Sequence, residues 1–182
     1  MNLGIKEKLW LLQVRTQKDP EAFGYLYDAY IEKIYRFVYF KVGSREEAED
    51  IASEVFLKAW GYLIENDKEI KSFAGFVFRV ARNQVIDFYR ARGKRQEFFL
   101  DPEMEIGKED KEFRRVEANQ ELEKLLLTIK QLKQEYQEVV LLRYVEEMSI
   151  SEIAEILSKS TLNVRVTLHR AGKKLRELVG AE

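Results

Sequence analysis

The side chains best suited to chemistry lie near the end of the chain, on one side of a predicted helix. At about 100° per residue, that side collects basic and aliphatic residues: Leu162, Arg165, Val166, His169, Arg170 and Lys173. Arginine and lysine bind phosphates and guanine edges, and an aliphatic side chain can contact thymine methyl groups. This combination favours a DNA-binding surface. The alternative is a solvated basic face, since Lys173, Lys174 and Arg176 would in any case complement the dipole at the end of a helix.

Two capping signals predict that this surface belongs to a helix-turn-helix between Ser149 and Leu178. Ser149, with Glu152 three residues later, forms a capping box that begins a short helix. Ser160 then caps a longer helix that begins at Thr161. Its apolar residues recur on the side opposite the basic one: Val164, Leu168, Ala171, Leu175 and Leu178. In this motif the start of the second helix meets base edges. The candidate DNA contacts in this helix are Ser160, Asn163, Arg165, Val166, Thr167, His169, Arg170 and Lys173.

A second basic face is predicted in the segment FAGFVFRVARNQVIDFYR, residues 73–90. One arc of its helical wheel is largely apolar and contains Phe73, Phe76, Val77, Val80, Ala81, Gln84 and Phe88. The other arc contains Arg79, Arg82, Asn83, Ile86 and Arg90. The preceding loop, residues 65–71, carries Asn66, Asp67 and Lys68. This loop could receive an unstacked base, and the adjacent stripe combines arginine with asparagine. Together they favour a platform for nucleic acid whose strands are separating. An ordinary amphipathic helix with a solvated basic face is the alternative.

An acidic cluster begins the helix before that loop. Gly43 ends a helix that Asp19 and Pro20 begin, and Ser44 with Glu47 forms the next capping box. The acidic residues that follow are Glu46, Glu47, Glu49, Asp50 and Glu54. Spacing predicts a buried side made of Ile51, Val55, Leu57 or Lys58, and Leu63. Since acidic first turns complement the helix dipole, the cluster is either a solvated helix start or a patch that binds a partner.

Composition predicts an all-α protein. The 182 residues are 46% hydrophobic and include only two prolines and nine glycines. The absence of cysteine excludes disulfides and thiolate metal sites, and one histidine without a phosphate-binding loop disfavours an enzyme. No apolar run could span a membrane and no signal peptide is recognisable, so we expect a cytoplasmic protein. The net charge of −1 hides basic and acidic patches that are strongly segregated.

The sequence predicts two small helical domains. Between residues 96 and 119 no helical period persists, and this stretch contains Pro102, Gly107 and an acidic run, which indicates a flexible linker. The predicted domains are therefore residues 1–95 and 120–182. Each of them contains one of the two basic helices.

These segments together resemble the extracytoplasmic-function sigma factors of bacterial RNA polymerase. The part of sigma region 2 that docks on the polymerase clamp resembles AEDIASEVFLKAW, and the helix that melts and recognises the −10 element resembles FAGFVFRVARNQVIDFYR. Region 4, which recognises the −35 element, is similar to EYQEVVLLRYVEEMSISEIAEILSKSTLNVRVTLHRA. The chain departs from the family pattern at Ser53, where glutamine is frequent, and at Phe76, where tryptophan is common.

The resemblance implies a monomeric, non-enzymatic initiation factor without a cofactor, whose partners are core polymerase, promoter DNA and, in some members, an anti-sigma factor. It implies core-polymerase contacts at Asp50, Ile51, Ser53, Glu54 and Phe56. It implies −10 contacts and melting at Asn66, Asp67, Lys68, Arg79, Arg82, Asn83 and Arg90, and −35 contacts along the last helix. A stand-alone helix-turn-helix regulator is the alternative, but such proteins usually dimerise on palindromic sites, and the sequence offers no dimerisation helix.

Overall fold

A computed structural model describes residues 3–66, 68–93 and 126–179. The chain forms two compact units, Met1–Phe88 and Tyr89–Glu182. All regular elements in the described residues are helices, which confirms the predicted all-α class. The predicted linker, residues 96–119, lies outside the described residues.

The described part of the first unit contains α1 (Leu3–Gln17), α2 (Pro20–Val42), α3 (Arg45–Glu65) and, up to Phe88, most of α4 (Phe73–Ala91). Their ends follow the predicted caps. The Asp19 carboxylate accepts a hydrogen bond from the backbone N–H of Glu21 at 2.9 Å. Gly43 ends α2 in the left-handed region with a φ of 72°, and the Ser44 hydroxyl oxygen accepts from the N–H of Glu47 at 3.4 Å. Local hydrogen bonds therefore fix where these helices begin and end.

Aromatic rings hold α1, α2 and α3 together. Trp10 of α1 stacks on Tyr25 of α2, with ring centroids 5.3 Å apart. The Tyr25 hydroxyl donates to the Glu21 carboxylate at 3.1 Å, and this hydrogen bond to a nearby negative charge raises the pKa of Tyr25. Tyr27 of α2 meets Phe56 of α3 edge to face at 4.7 Å. Phe56 is only 3% exposed, so α3 turns this ring toward α2.

This packing corrects the predicted buried side of α3. Ile51, Val55 and Leu63 are buried as expected, but Leu57 is 66% exposed and Lys58 is exposed too. Periodicity alone allowed position 57 or 58 to be buried. The aromatic contact with α2 instead makes Phe56 the buried residue of that turn, because adjacent residues point about 100° apart on a helix.

The buried side of α4 is also rotated from the predicted arc. Val80, Gln84 and Phe88 were expected in the core but are half-buried, and the helix instead buries Phe78, Val85 and Tyr89. The rotation has two visible causes. Phe78 packs edge to face on Phe37 of α2 at 5.4 Å, and Gln84 accepts a hydrogen bond from Lys58 at 2.6 Å, which requires an exposed edge.

The second unit contains the predicted helix-turn-helix. A helical turn at residues 126–130 precedes α5 (Gln134–Val140), a π-helical turn (Leu141–Val145), α6 (Ile150–Leu157) and α7 (Thr161–Val179). Ser149 and Glu152 form the predicted capping box. Ser158 ends α6 in the left-handed region, with a φ of 53°, and the Ser160 hydroxyl oxygen accepts from the N–H of Asn163 at 3.1 Å. Lys159 in the turn contacts Glu135 of α5 at 2.6 Å, so the turn is held from both sides.

Replacing Ser149 with alanine is expected to lower the free energy of unfolding by ~1 kcal/mol, because the change removes one half of the capping box. The N–H of Glu152, now 3.2 Å from the Ser149 hydroxyl, would lose its acceptor. Urea unfolding of the full chain measures the change. Ser151→Ala is the matched control, since Ser151 is exposed on the same helix. Equal midpoints for the two variants would contradict the stabilising role of the cap.

Candidate nucleic-acid and partner interfaces

One side of α7 is an exposed surface of basic and aliphatic residues. Arg165, His169, Arg170 and Lys173 are exposed, with Leu162 at 68% and Val166 at 41% exposure. The opposite side buries Val164 and Ala171 and half-buries Leu168, Leu175 and Leu178. The two predicted sides of this helix are therefore confirmed. Because the helix is capped at Ser160 and packed along its other side, the exposed residues are held on a rigid support.

Two of the candidate contacts, Thr167 and Ser160, have structural roles in this part of the chain. Thr167 is 5% exposed, and its hydroxyl is 3.4 Å from the Asn163 side-chain oxygen. It lies three residues after Val164 and four before Ala171, which places it in the buried stripe. The Thr167 side chain is therefore part of the packed side of the helix. The Ser160 hydroxyl accepts the first-turn N–H of Asn163, so its side chain serves the helix start.

The exposed stripe of α4 contains Arg79, Asn83 and Arg90, as predicted, while Arg82 and Ile86 are half-buried. The Arg79 guanidinium lies 6.0 Å from the centroid of the Phe76 ring, which supports its position by a cation–π contact. Asp87 is exposed on the same stripe, one turn after Asn83. The sequence prediction left Asp87 out, although its four-residue spacing from Asn83 was a visible signal. The stripe is thus polar with mixed charge rather than purely basic.

The loop before α4 is fixed at its start by Asn66. The Asn66 side-chain amide donates to the Tyr62 carbonyl at 3.1 Å, and its backbone N–H donates to the same oxygen at 3.0 Å. Asn66 is half-buried and ends α3, whereas Lys68 is exposed. Asp67, the third predicted loop contact, lies outside the described residues. The loop ends at Ser72, whose hydroxyl oxygen accepts from the N–H of Gly75 at 3.2 Å.

The exposed side of α3 carries the acidic cluster. Asp50, Ser53 and Glu54 are exposed, and Glu54 forms an ion pair with Lys58 at 3.5 Å. Ile51 and Phe56, which were also predicted to contact a partner, are 9% and 3% exposed. These two side chains belong to the core and lie beneath the exposed acidic residues.

Leu57 is the residue that the sequence prediction missed on this side of α3. It is exposed three residues after Glu54 and four after Ser53, which puts an apolar group beside the acidic ones. A single exposed leucine is common on protein surfaces, and here it adds an apolar group to an acidic face. Its spacing from Ser53 and Glu54 was a signal for this position.

Among residues 3–66, 68–93 and 126–179, no group of histidine, aspartate and glutamate side chains could hold a metal ion. None of the helices in the described part of the chain combines the length and apolar character that crossing a membrane requires.

Comparison with known proteins defines the class. The family model for Sigma-70 region 2 matches residues 26–95, and the model for Sigma-70, region 4 matches residues 122–175. The chain is 32% identical to the ECF RNA polymerase sigma factor SigW of Bacillus subtilis over 97% of both chains. It is 31% identical to the ECF RNA polymerase sigma factor BldN of Streptomyces coelicolor, where the match covers 88% of this chain and 61% of BldN.

Solved structures agree on the fold. The chain is similar to CnrH, solved in complex with the cytosolic domain of CnrY, with a TM-score of 0.70, 23% identity, and coverage of 97% of this chain and 99% of the other. It is also similar to the sigma factor RpoE of Bartonella quintana, solved with the anti-sigma factor NepR. That match has a TM-score of 0.64 and 17% identity, and covers 88% of this chain and 98% of the other.

The chain belongs to the sigma-70 family, and within it to the extracytoplasmic-function sigma factors. It is accordingly an RNA polymerase sigma factor, and members of this family are initiation factors rather than enzymes. The alternative of a stand-alone helix-turn-helix regulator is not favoured, since the match covers both regions of the chain.

Proposed function

We propose that this sigma factor divides promoter recognition between its two basic helices. Residues 120–182 recognise the −35 element through α7, and residues 1–95 bind core polymerase through α3 and open the −10 element with α4 and the preceding loop. Residues 96–119 link the two domains. The protein acts as a cytoplasmic monomer, and an anti-sigma factor is among its partners.

The observation that supports this proposal best is the surface of α7. Its cations and aliphatic groups are exposed while the opposite side of the helix is packed, and its start is capped by Ser160. A helix held in this way can enter the major groove with its first turns against base edges. The assigned base contacts are Asn163, Arg165, Val166 and Arg170, with His169 and Lys173 on the same exposed side.

The proposed core-polymerase surface consists of Asp50, Ser53 and Glu54, with Leu57 added because it is exposed among them. Protein interfaces combine apolar contact with charge complementarity, and this face of α3 provides both. Ile51 and Phe56 act indirectly by holding α3 against α2.

The proposed −10 surface consists of Arg79, Asn83 and Arg90 on the exposed stripe of α4, the half-buried Arg82, and the loop residues Asn66, Asp67 and Lys68. An unpaired base is bound by stacking and by hydrogen bonds to its edges, and amide and guanidinium groups provide these contacts. Asn66 contributes chiefly by ending α3, because its side chain already hydrogen bonds Tyr62.

Replacing Asn83 with alanine is expected to reduce open-complex formation about fivefold, since the net hydrogen bond of an amide side chain to an unpaired base is worth about 1 kcal/mol. Binding of the closed complex should change little, because duplex binding does not require that contact. Permanganate reactivity of unpaired thymines measures opening, and retention of the closed complex on promoter DNA at low temperature measures binding.

Asn163→Ala is the matched control for this experiment, since it alters an asparagine of α7. It should weaken promoter binding before opening. Unchanged thymine reactivity in both Asn83→Ala and Lys68→Ala would remove the melting role from this surface and leave α4 as scaffold.

A further inference from the structure

One carboxylate in the first unit joins three helices. Glu7 of α1 accepts a hydrogen bond from the Tyr30 hydroxyl of α2 at 2.5 Å. Its other oxygen accepts from the backbone N–H of Phe73, the first residue of α4, at 3.1 Å. Tyr30 and Phe73 are 7% and 0% exposed, and their rings meet edge to face at 5.4 Å. Glu7 thus connects α1 to the start of α4 through a partly buried contact.

This contact completes the cap of α4. The first N–H groups of a helix have no acceptor within it. In α4 the Ser72 hydroxyl accepts from Gly75 at 3.2 Å, and the Ser72 carbonyl accepts from Phe76 at 3.1 Å. The N–H of Phe73 is satisfied by Glu7, 66 residues earlier in the chain. A negative carboxylate at this end also complements the helix dipole.

Glu7 lies where it can influence strand separation. Phe73 directly follows the loop between α3 and α4, whose first end is fixed by the hydrogen bonds of Asn66 to Tyr62. Glu7 fixes the other end. A loop with two fixed ends loses less conformational freedom when it binds an unpaired base. The family model for region 2 matches residues 26–95, so Glu7 lies outside the segment matched by that model.

We infer that Glu7 is a positioning residue for promoter opening: it fixes the start of α4 and the end of the preceding loop in the arrangement that accepts unpaired DNA. This inference rests on the proposed −10 role of that loop and helix. Glu7 itself contacts no DNA in this scheme. It acts through the backbone of Phe73, with Tyr30 holding the carboxylate in place.

The test compares four variants of the full chain assembled with core polymerase. Glu7→Ala removes both hydrogen bonds and should slow conversion of the closed to the open complex about fivefold, the effect of losing one helix cap. Glu7→Gln keeps an oxygen that can accept from Phe73, so it should restore most of the rate. Tyr30→Phe keeps the Phe73 contact but removes the hydroxyl that holds the carboxylate, so its rate should lie between those of Glu7→Ala and the wild type. Glu32→Ala, an exposed glutamate of α2, is the matched control and should have no effect.

A second measurement tests the hydrogen bond between Glu7 and the Phe73 amide in the absence of DNA. Hydrogen exchange of the Phe73 amide in the free protein should accelerate in Glu7→Ala and return toward the wild-type rate in Glu7→Gln. Closed-complex affinity should be unchanged in every variant. Slower opening at constant affinity, with rescue by glutamine, supports positioning, because a loss of global stability would lower both quantities.

Three results would overturn the inference. The first is faster Phe73 exchange with wild-type opening in Glu7→Ala, the second is unchanged Phe73 exchange, and the third is a parallel loss of opening and closed-complex affinity. Asn83→Ala is measured in the same assay to distinguish failure of the positioning role from failure of the proposed −10 function. If Asn83→Ala slows opening but Glu7→Ala does not, only the positioning role is lost, whereas wild-type opening in both removes the −10 assignment itself.

Discussion

Asp50→Lys is expected to weaken assembly with core RNA polymerase by about 50-fold, because juxtaposing like charges across an interface costs several kcal/mol. Asp50 is exposed on α3, beside Ser53 and Glu54. A partner surface that binds this acidic face carries positive charge, and the substituted lysine would repel it. Titration of core enzyme with labelled sigma factor measures the affinity directly.

Asp50 is a cleaner position for this test than Glu54. Glu54 forms an ion pair with Lys58, so Glu54→Lys would place two lysines together and change α3 itself. Exposed pairs of this kind contribute only about 0–1 kcal/mol to stability, yet their reversal complicates the interpretation. The double variant Asp50→Lys with Glu54→Lys should then bind more weakly than either single variant.

Glu32→Lys controls for the change in net charge, since Glu32 is exposed on α2 and lies outside the proposed surface. It should bind core polymerase with wild-type affinity. Thermal unfolding followed by circular dichroism should give the same midpoint for Asp50→Lys and Glu32→Lys. Equal, undiminished affinity of Asp50→Lys and Glu32→Lys would place the docking surface elsewhere on the protein.

Arg165→Ala is expected to abolish preference at one base pair of the −35 element. A bidentate contact of the Arg165 guanidinium to guanine provides roughly 1–3 kcal/mol of discrimination, which this variant would lose. Arg165 is exposed in the first turns of α7, which this motif directs at base edges. Lys173→Ala should instead weaken binding to all sequences alike and reduce the salt dependence by about one counterion, as a phosphate contact does.

Binding of the polymerase-bound sigma factor to a randomised −35 element, measured at several salt concentrations, separates the two kinds of loss. Arg176→Ala is the matched control, because it removes an arginine from the last turn of the same helix. At 1.5 Å per residue, Arg176 lies roughly 16 Å along the axis from Arg165. An Arg165→Ala profile that keeps its preference at every position would refute the base-recognition role.

Local features of the fold were predictable because their causes are local. A cap is a hydrogen bond between residues two or three apart, so Asp19, Ser149 and Ser160 could be recognised from their neighbours in the chain. The two sides of α7 were predictable for a related reason. Its helical period separates Val164 and Ala171 from Arg165 and Lys173, whatever the helix packs against.

The sequence by itself thus determined the class, the caps, and the exposed surface of α7. Tertiary structure decided details that depend on contacts between distant residues. Whether Phe56 or Leu57 is buried follows from the ring of Tyr27, and the rotation of α4 follows from Phe37 and Lys58. The Glu7–Phe73 hydrogen bond joins residues 66 positions apart. Sequence periodicity gives the angle between side chains on one helix, but the direction in which that helix faces is set by the free energy of packing against its neighbours.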